Sequence, residues 1–208
     1  MIKSVSYNQE EILQGILKLH CNNSQIELDT TYSKGNFYKG TIKEPLYKFD
    51  SEPQFKDVIK VEGANIPLEN DSINVAVFDP PFLATKGKSL KINNESNQIT
   101  KRFGVYPTEQ LLHKFYVDAL LEFYRVLKQD GILIFKCQDK VSSGKQYFSH
   151  VFIMKEAEKI GYYCKDLFIL IVKNRMTPAW QLKNQKHARK FHSYFIVLQK
   201  TNKRIAYL

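Results

Sequence analysis

Glycine is scarce in this chain, nine among 208 residues, and no three glycines make up the G-x-G-x-x-G of a dinucleotide-binding turn. Cysteine is scarcer. Cys21, Cys137 and Cys164 are odd in number, scattered and without C-x-x-C spacing, which excludes a disulfide framework and a structural zinc and leaves buried thiols as the expectation. His187 and His192 stand five apart with no second ligand pair, so no metal is expected. Long apolar runs are missing too. The longest, residues 167–172, falls far short of the ~20 needed to cross a bilayer, so no membrane partner is expected. No apolar segment follows the opening MIKSVSYNQEE, so no secretory signal is read there and the expected location is cytoplasmic. Pro/Gly linkers, repeats and low-complexity tracts are absent as well, so residues 1–208 are read as one domain. With 43% hydrophobic and 13% aromatic residues, that domain can bury a sizeable core.

The remaining absence is of acid. Residues 167–208 hold nine Lys or Arg and no Asp or Glu, and residues 83–106 hold five basic residues against Glu95. These segments total +9 and +4, while the whole chain is +10, so the rest must be 10 − 13 = −3. A segregated cationic surface is the footprint of a protein that meets a polyanion, because each neutralised phosphate releases condensed counterions. Nucleic acid is therefore the expected partner.

Asn8, followed at the capping-box spacing by Glu11, opens a helix with Ile12, Leu13, Ile16, Leu17 and Leu19 on one stripe. Short apolar runs at 25–28, 46–49, 58–61, 73–78, 132–135, 167–172 and 194–198 then predict seven strands. Between Pro107 and Gln129 the spacing predicts a helix capped by Thr108, with Gly131 just past its end. Another helix is predicted over 148–160, stopped by Gly161. Strands separated by helix-length connections predict an α/β fold with a mostly parallel sheet covered on both faces. Such sheets bind ligands at the carboxyl ends of their strands.

One strand end is distinctive. INVAVF runs directly into Asp79, Pro80, Pro81 and Phe82. Two successive prolines fix φ and forbid continuation of strand or helix, which holds one carboxylate and unencumbered carbonyls in a fixed array. That array suits an exocyclic amine, whose two hydrogens can be accepted by the Asp79 carboxylate and the Pro80 carbonyl while Phe82 stacks on the base.

DPPF after a strand resembles the catalytic motif of the S-adenosylmethionine-dependent amino-methyltransferases that modify N6 of adenine or N4 of cytosine in DNA. The segment LDTTYSKGNFYKG also resembles methyltransferases of bacteria and their phages. The resemblance implies a Rossmann-like class I methyltransferase fold, seven-stranded with an antiparallel last strand, and S-adenosylmethionine as cofactor. It further implies that Asp29 and the turn of Tyr32, Ser33 and Gly35 form the first cofactor loop, that Asp50 holds the ribose hydroxyls, and that Glu62, Gly63 and Ala64 meet the adenine. One departure is plain: the first loop, from Thr31 to Gly35, has a single glycine.

In that topology both cationic segments flank DPPF. Lys86, Lys88, Lys101 and Arg102 on one side, and Arg175, Trp180, Lys186, His187, Arg189 and Lys190 on the other, are the expected nucleic-acid contacts. His192 is expected to be structural. The activity implied is methyl transfer to adenine N6 in DNA, with an RNA N6-adenine enzyme or a non-catalytic nucleic-acid-binding protein of the same fold as alternatives. No room is left for a separate target-recognition domain, so specificity is expected to come from the basic segments, to come from a second subunit, which makes a homodimer an open expectation, or to be weak.

Overall fold

The computed structural model describes residues 1–61, 65–84, 106–142, 144–173 and 185–203. In chain order the described elements are β1 (Val5–Ser6), α1 (Gln9–His20), β2 (Leu28–Asp29), β3 (Tyr47–Asp50), β4 (Ile59–Lys60), β5 (Ile73–Phe78), α2 (Glu109–Val126), β6 (Leu127–Cys137), β7 (Lys140–Ser142), β8 (Lys145–Tyr147), α3 (Ser149–Ile160), β9 (Tyr162–Ile171) and β10 (His192–Lys200). An eight-stranded sheet runs in the order β1-β9-β10-β6-β5-β2-β3-β4. Only β10 is antiparallel to its neighbours in that sheet. The mostly parallel Rossmann-like class is as the sequence predicts, with eight strands instead of seven. The extra strand is Val5–Ser6, too short to show a period, paired with Ile169 and Leu170 at the edge. β7 and β8 form a separate antiparallel ribbon.

Local chemistry accounts for most boundaries. The Asn8 side chain accepts from Glu10 N at 2.9 Å. The reciprocal half of the capping box is relayed: Asn8 N donates to Ser6 Oγ, whose hydroxyl donates to Glu11 at 2.6 Å. Within α1, Ile12, Leu13 and Ile16 are buried, but Leu19 is exposed. Thr108 caps α2, and Gly161 ends α3 in the left-handed region at φ 119. Gly131 is not the stop of α2. That helix leaves at Leu127 straight into β6, and a Cβ on Gly131 would sit 2.8 Å from Lys128 O and 3.2 Å from Asn74 O, at the register shift between β5 and β6.

The sheet separates two cores. α2 and α3 cover one face through Leu112, Tyr116, Leu120, Phe123, Ile153 and Ala157, against Phe78 and Phe135. The other face is built differently. Among the described residues no helix follows β2 or β3, and only eight residues, 51–58, separate β3 from β4. There α1, the aromatic loop residues Tyr32, Phe37 and Tyr38, and Ile42 pack on Val75, Val77, Ile134 and Phe195. No described helix is long and apolar enough to cross a membrane.

Candidate active site

Phe78 pairs with Phe135 at the end of β5, and the chain then turns into Asp79-Pro80-Pro81-Phe82 at the carboxyl edge. Three anchors hold this corner from behind. Thr31 Oγ1 accepts from Asp79 N at 2.8 Å, Tyr116 of α2 donates to the Pro81 carbonyl at 2.7 Å, and Lys140 Nζ donates to the Phe82 carbonyl at 2.7 Å. Pro80 is buried, and among the described residues no donor reaches its carbonyl, while the Asp79 side chain retains 24% exposure.

That carboxylate has a partner the sequence reading missed. Lys136 Nζ lies 2.8 Å from Asp79 Oδ2 and 3.1 Å from Gln9 Oε1, over the rings of Phe37 and Phe195 at 5.2 and 5.6 Å. A signal existed: Lys136 interrupts the run ILIFKC in a strand whose neighbouring residues are buried.

Lys140 is more deeply set, 7% exposed and paired at 3.0 Å with Glu109, itself 8% exposed. Burial pulls its ammonium below the usual lysine range, and the Glu109 charge opposes the shift. Removing one member of such a pair leaves an uncompensated buried charge, so the pair fixes the Phe82 turn firmly. Nearby, buried Asp139 accepts from the backbone N–H and the ring Nδ1 of His150, replacing the missing side-chain cap at the start of α3. His150 in turn stacks on Tyr194 with centroids 4.2 Å apart.

The first loop folds across the ends of β2 and β3. Asp29, 1% exposed, accepts from Thr31 N, Thr31 Oγ1 and Tyr38 Oη at 2.8, 3.1 and 2.8 Å. Burial pushes its carboxyl up to about 7, against the opposing pull of those hydrogen bonds. Asp50 accepts from Ser33 N at 2.7 Å and from Glu52 N at 2.8 Å. Tyr32 is buried, stacked on Tyr38 with centroids 5.6 Å apart, and donates to Glu44 at 2.6 Å. Gly35 sits at φ +60, and a Cβ there would lie 2.6 Å from Tyr32 Oη, so the space beside this glycine is filled by the chain's own ring. Lys34 is exposed.

For the cofactor implied by the sequence, the acceptor set is mixed. Asp50, partly exposed and with a second lone pair on each oxygen, fits the two hydroxyls of a ribose. Asp29 has its carboxylate taken up by Thr31 and Tyr38, and Tyr32 occupies the place of a glycine cradle. Glu62, Gly63 and Ala64 lie outside the described residues.

The ends of both basic segments meet this edge. Ala84 and Tyr106 form a bridge beyond Phe82, and Val172 N donates to the Phe191 carbonyl where β9 gives way to β10. Lys86, Lys88, Lys101, Arg102, Arg175 and Trp180 lie outside the described residues. Lys186 is exposed, and His187, Arg189 and Lys190 are partly exposed, with His187 Nε2 3.2 Å from the Gly144 carbonyl. His192 opens β10, with Nε2 2.9 Å from Tyr194 Oη. Cys21 and Cys137 are buried, and Cys164 is partly so. Among the described residues no group of three or more His, Cys, Asp or Glu is placed to hold a metal.

Solved structures resemble this arrangement of strands and helices. A candidate sarcosine dimethylglycine methyltransferase from Galdieria sulphuraria matches at TM-score 0.51 and 12% identity, covering 97% of this chain and 94% of that one. The [4+2]-cyclase SpnF matches at 0.53 and 11%, covering 92% and 80%. At these identities the likeness establishes the fold, shared by proteins of different activity, and nothing finer. The cytosine-N4-specific PvuII DNA methyltransferase is more distant, at TM-score 0.45 and 14% identity over 65% of this chain and 45% of its own. The chain spans about half the length of the DNA methyltransferases it resembles. No family model matches the sequence, and no curated protein matches it.

Proposed function

We propose that this protein transfers a methyl group from S-adenosylmethionine to the exocyclic amine of a nucleobase, with N6 of adenine in DNA as the leading target. The observation that carries this reading is the Asp79 corner: a partly exposed carboxylate at the carboxyl edge of a methyltransferase-fold sheet, followed by two prolines whose turn is anchored through Asp79 N, the Pro81 carbonyl and the Phe82 carbonyl. When bound, the cofactor supplies a methyl group on a sulfonium sulfur, an electrophile for an amine nitrogen. Asp79 and the Pro80 carbonyl accept the two amine hydrogens and turn the nitrogen lone pair outward, and the Asp79 charge offsets the positive charge that grows on that nitrogen. Phe82 offers a ring for the base to stack on. Asp50 holds the ribose of the cofactor, with Ser33, Gly35 and Tyr32 shaping the loop beside it and Glu62, Gly63 and Ala64 meeting its adenine. Because the target nitrogen lies inside a duplex stack, the base is flipped out or already unpaired. Lys186, Arg189 and Lys190, with the basic residues of the 83–106 segment, supply the phosphate contacts that steer it. Residues 1–208 act as one domain, with the basic segments or a second copy of the chain providing specificity.

Incubation with labelled cofactor and duplex DNA, single-stranded DNA or RNA, followed by identification of the modified nucleoside, tests the proposal. N6-methyldeoxyadenosine is the expected product. No label in any nucleic acid contradicts it. Label confined to RNA supports the RNA reading. One observation favours a binding protein without catalysis, namely Tyr32 filling the space beside Gly35, and calorimetry with S-adenosylmethionine separates the two: heat of binding is expected for the enzyme and none for the alternative.

A further inference from the structure

We infer that Asp79 and Lys136 act as a couple that reads the amidine edge of the target base, the amine together with the ring nitrogen beside it. The inference rests on the function proposed above and extends it to a specificity-determining residue. Adenine N6 with N1, and cytosine N4 with N3, each present a donor next to an acceptor. The protein presents the complement. Asp79 is an acceptor, and the Lys136 ammonium, a donor, stands 2.8 Å from it.

The ammonium is placed to give a hydrogen away. Of its three hydrogens, one faces Asp79 and one faces Gln9 Oε1 at 3.1 Å. Among the described residues no further oxygen accepts the third, and the remaining surroundings are the faces of Phe37 and Phe195. Lys136 keeps 13% side-chain exposure beside the 24% of Asp79, so neither group of the couple is fully enclosed. A keto base gains no transfer from it: with thymine O4 against Asp79 two acceptors face each other, and in the opposite register N3–H and O4 satisfy the couple but no amine stands at the carboxylate. The lysine is not explained by rate. A cation beside a nitrogen that gains positive charge opposes transfer, whereas a donor aimed at the adjacent ring nitrogen selects the base.

Single-stranded DNA oligonucleotides carrying either adenine or 1-deazaadenine at the target position separate the possibilities. The analogue keeps the amine and replaces N1 with C–H, and a single strand removes differences in base pairing. For the wild-type protein, kcat/KM is expected to fall on the order of tenfold or more on the analogue. Lys136→Met is expected to lose a similar factor on adenine and to treat the two bases alike. Lys136→Gln, which retains a donor and guards against a folding defect, is expected to recover part of the discrimination. Equal penalties in wild type and Lys136→Met, or no penalty in wild type, overturn the inference while leaving the methyl-transfer reading intact. Absence of transfer to every oligonucleotide overturns that reading and this inference with it.

Discussion

The two ends of the sheet are built to different standards. On one side β10 pairs with β9 along its whole length, His192 to Lys200, and with β6 from Tyr194 to Gln199. On the other, β2 meets β3 at Leu28 with Tyr47 and at Asp29 with Lys48, and β3 meets β4 at Phe49 with Ile59 and at Asp50 with Lys60. The well-paired end is sandwiched on one face by α2 and α3. The thin end relies on side-chain bonds, with Lys48 tied to Asp57 and Tyr32 to Glu44. Asp79 stands where they join, at the end of β5, between β6 and β2. On the function proposed above, the difference divides the labour: the long strands would fix the corner that receives the amine, and the thin end, whose loop sits on Asp50, would carry the cofactor.

Breaking each end separately sharpens that comparison. Phe135→Ala, deep in the well-paired end and fully buried, is expected to cost about 3–5 kcal/mol of stability in urea denaturation. Asp29→Asn probes the thin end through pH. Because burial raises the Asp29 carboxyl to about 7 in the folded state from an ordinary 3.8, its folded form binds a proton more readily than its unfolded form. The stability it contributes is fully present below pH 4 and is lost as pH rises through 7. Thermal midpoints measured from pH 4 to 8 should decline more for wild type than for Asp29→Asn. Parallel profiles would show that Asp29 is ionised throughout. Asp50→Ala is expected to weaken binding of S-adenosylmethionine about tenfold by calorimetry, while costing only about 1 kcal/mol of stability for the lost bonds to Ser33 and Glu52. The smallest effect is electrostatic. Arg189→Gln with Lys190→Gln should reduce the slope of log affinity for DNA against log salt by about two, and an unchanged slope would remove these residues from the contact surface.

Legibility in the sequence follows the same division. α2 was readable because Thr108 caps it and its apolar residues recur at helical spacing. Its end was not, because Gly131 resembles a helix stop while marking an irregularity between β5 and β6. β1, β7 and β8 are two or three residues long and carry no period. At the site, the diproline corner was legible because proline restricts the backbone locally. Lys136 was legible in principle, as a charge inside a buried strand. Tyr116 and Lys140 were not, since they bond main-chain carbonyls 35 and 58 residues away, a relation only the fold creates. The loop after β2 was read for its single glycine, but the placement of Tyr32 against that glycine depends on Tyr38 and Glu44.

The most direct test is Asp79→Ala, assayed for methyl transfer to single-stranded DNA and, on the same preparation, for S-adenosylmethionine binding. Transfer reduced at least about a hundredfold with cofactor affinity unchanged is the predicted result. An Asp79→Ala protein that still methylates DNA at the wild-type rate would contradict the account.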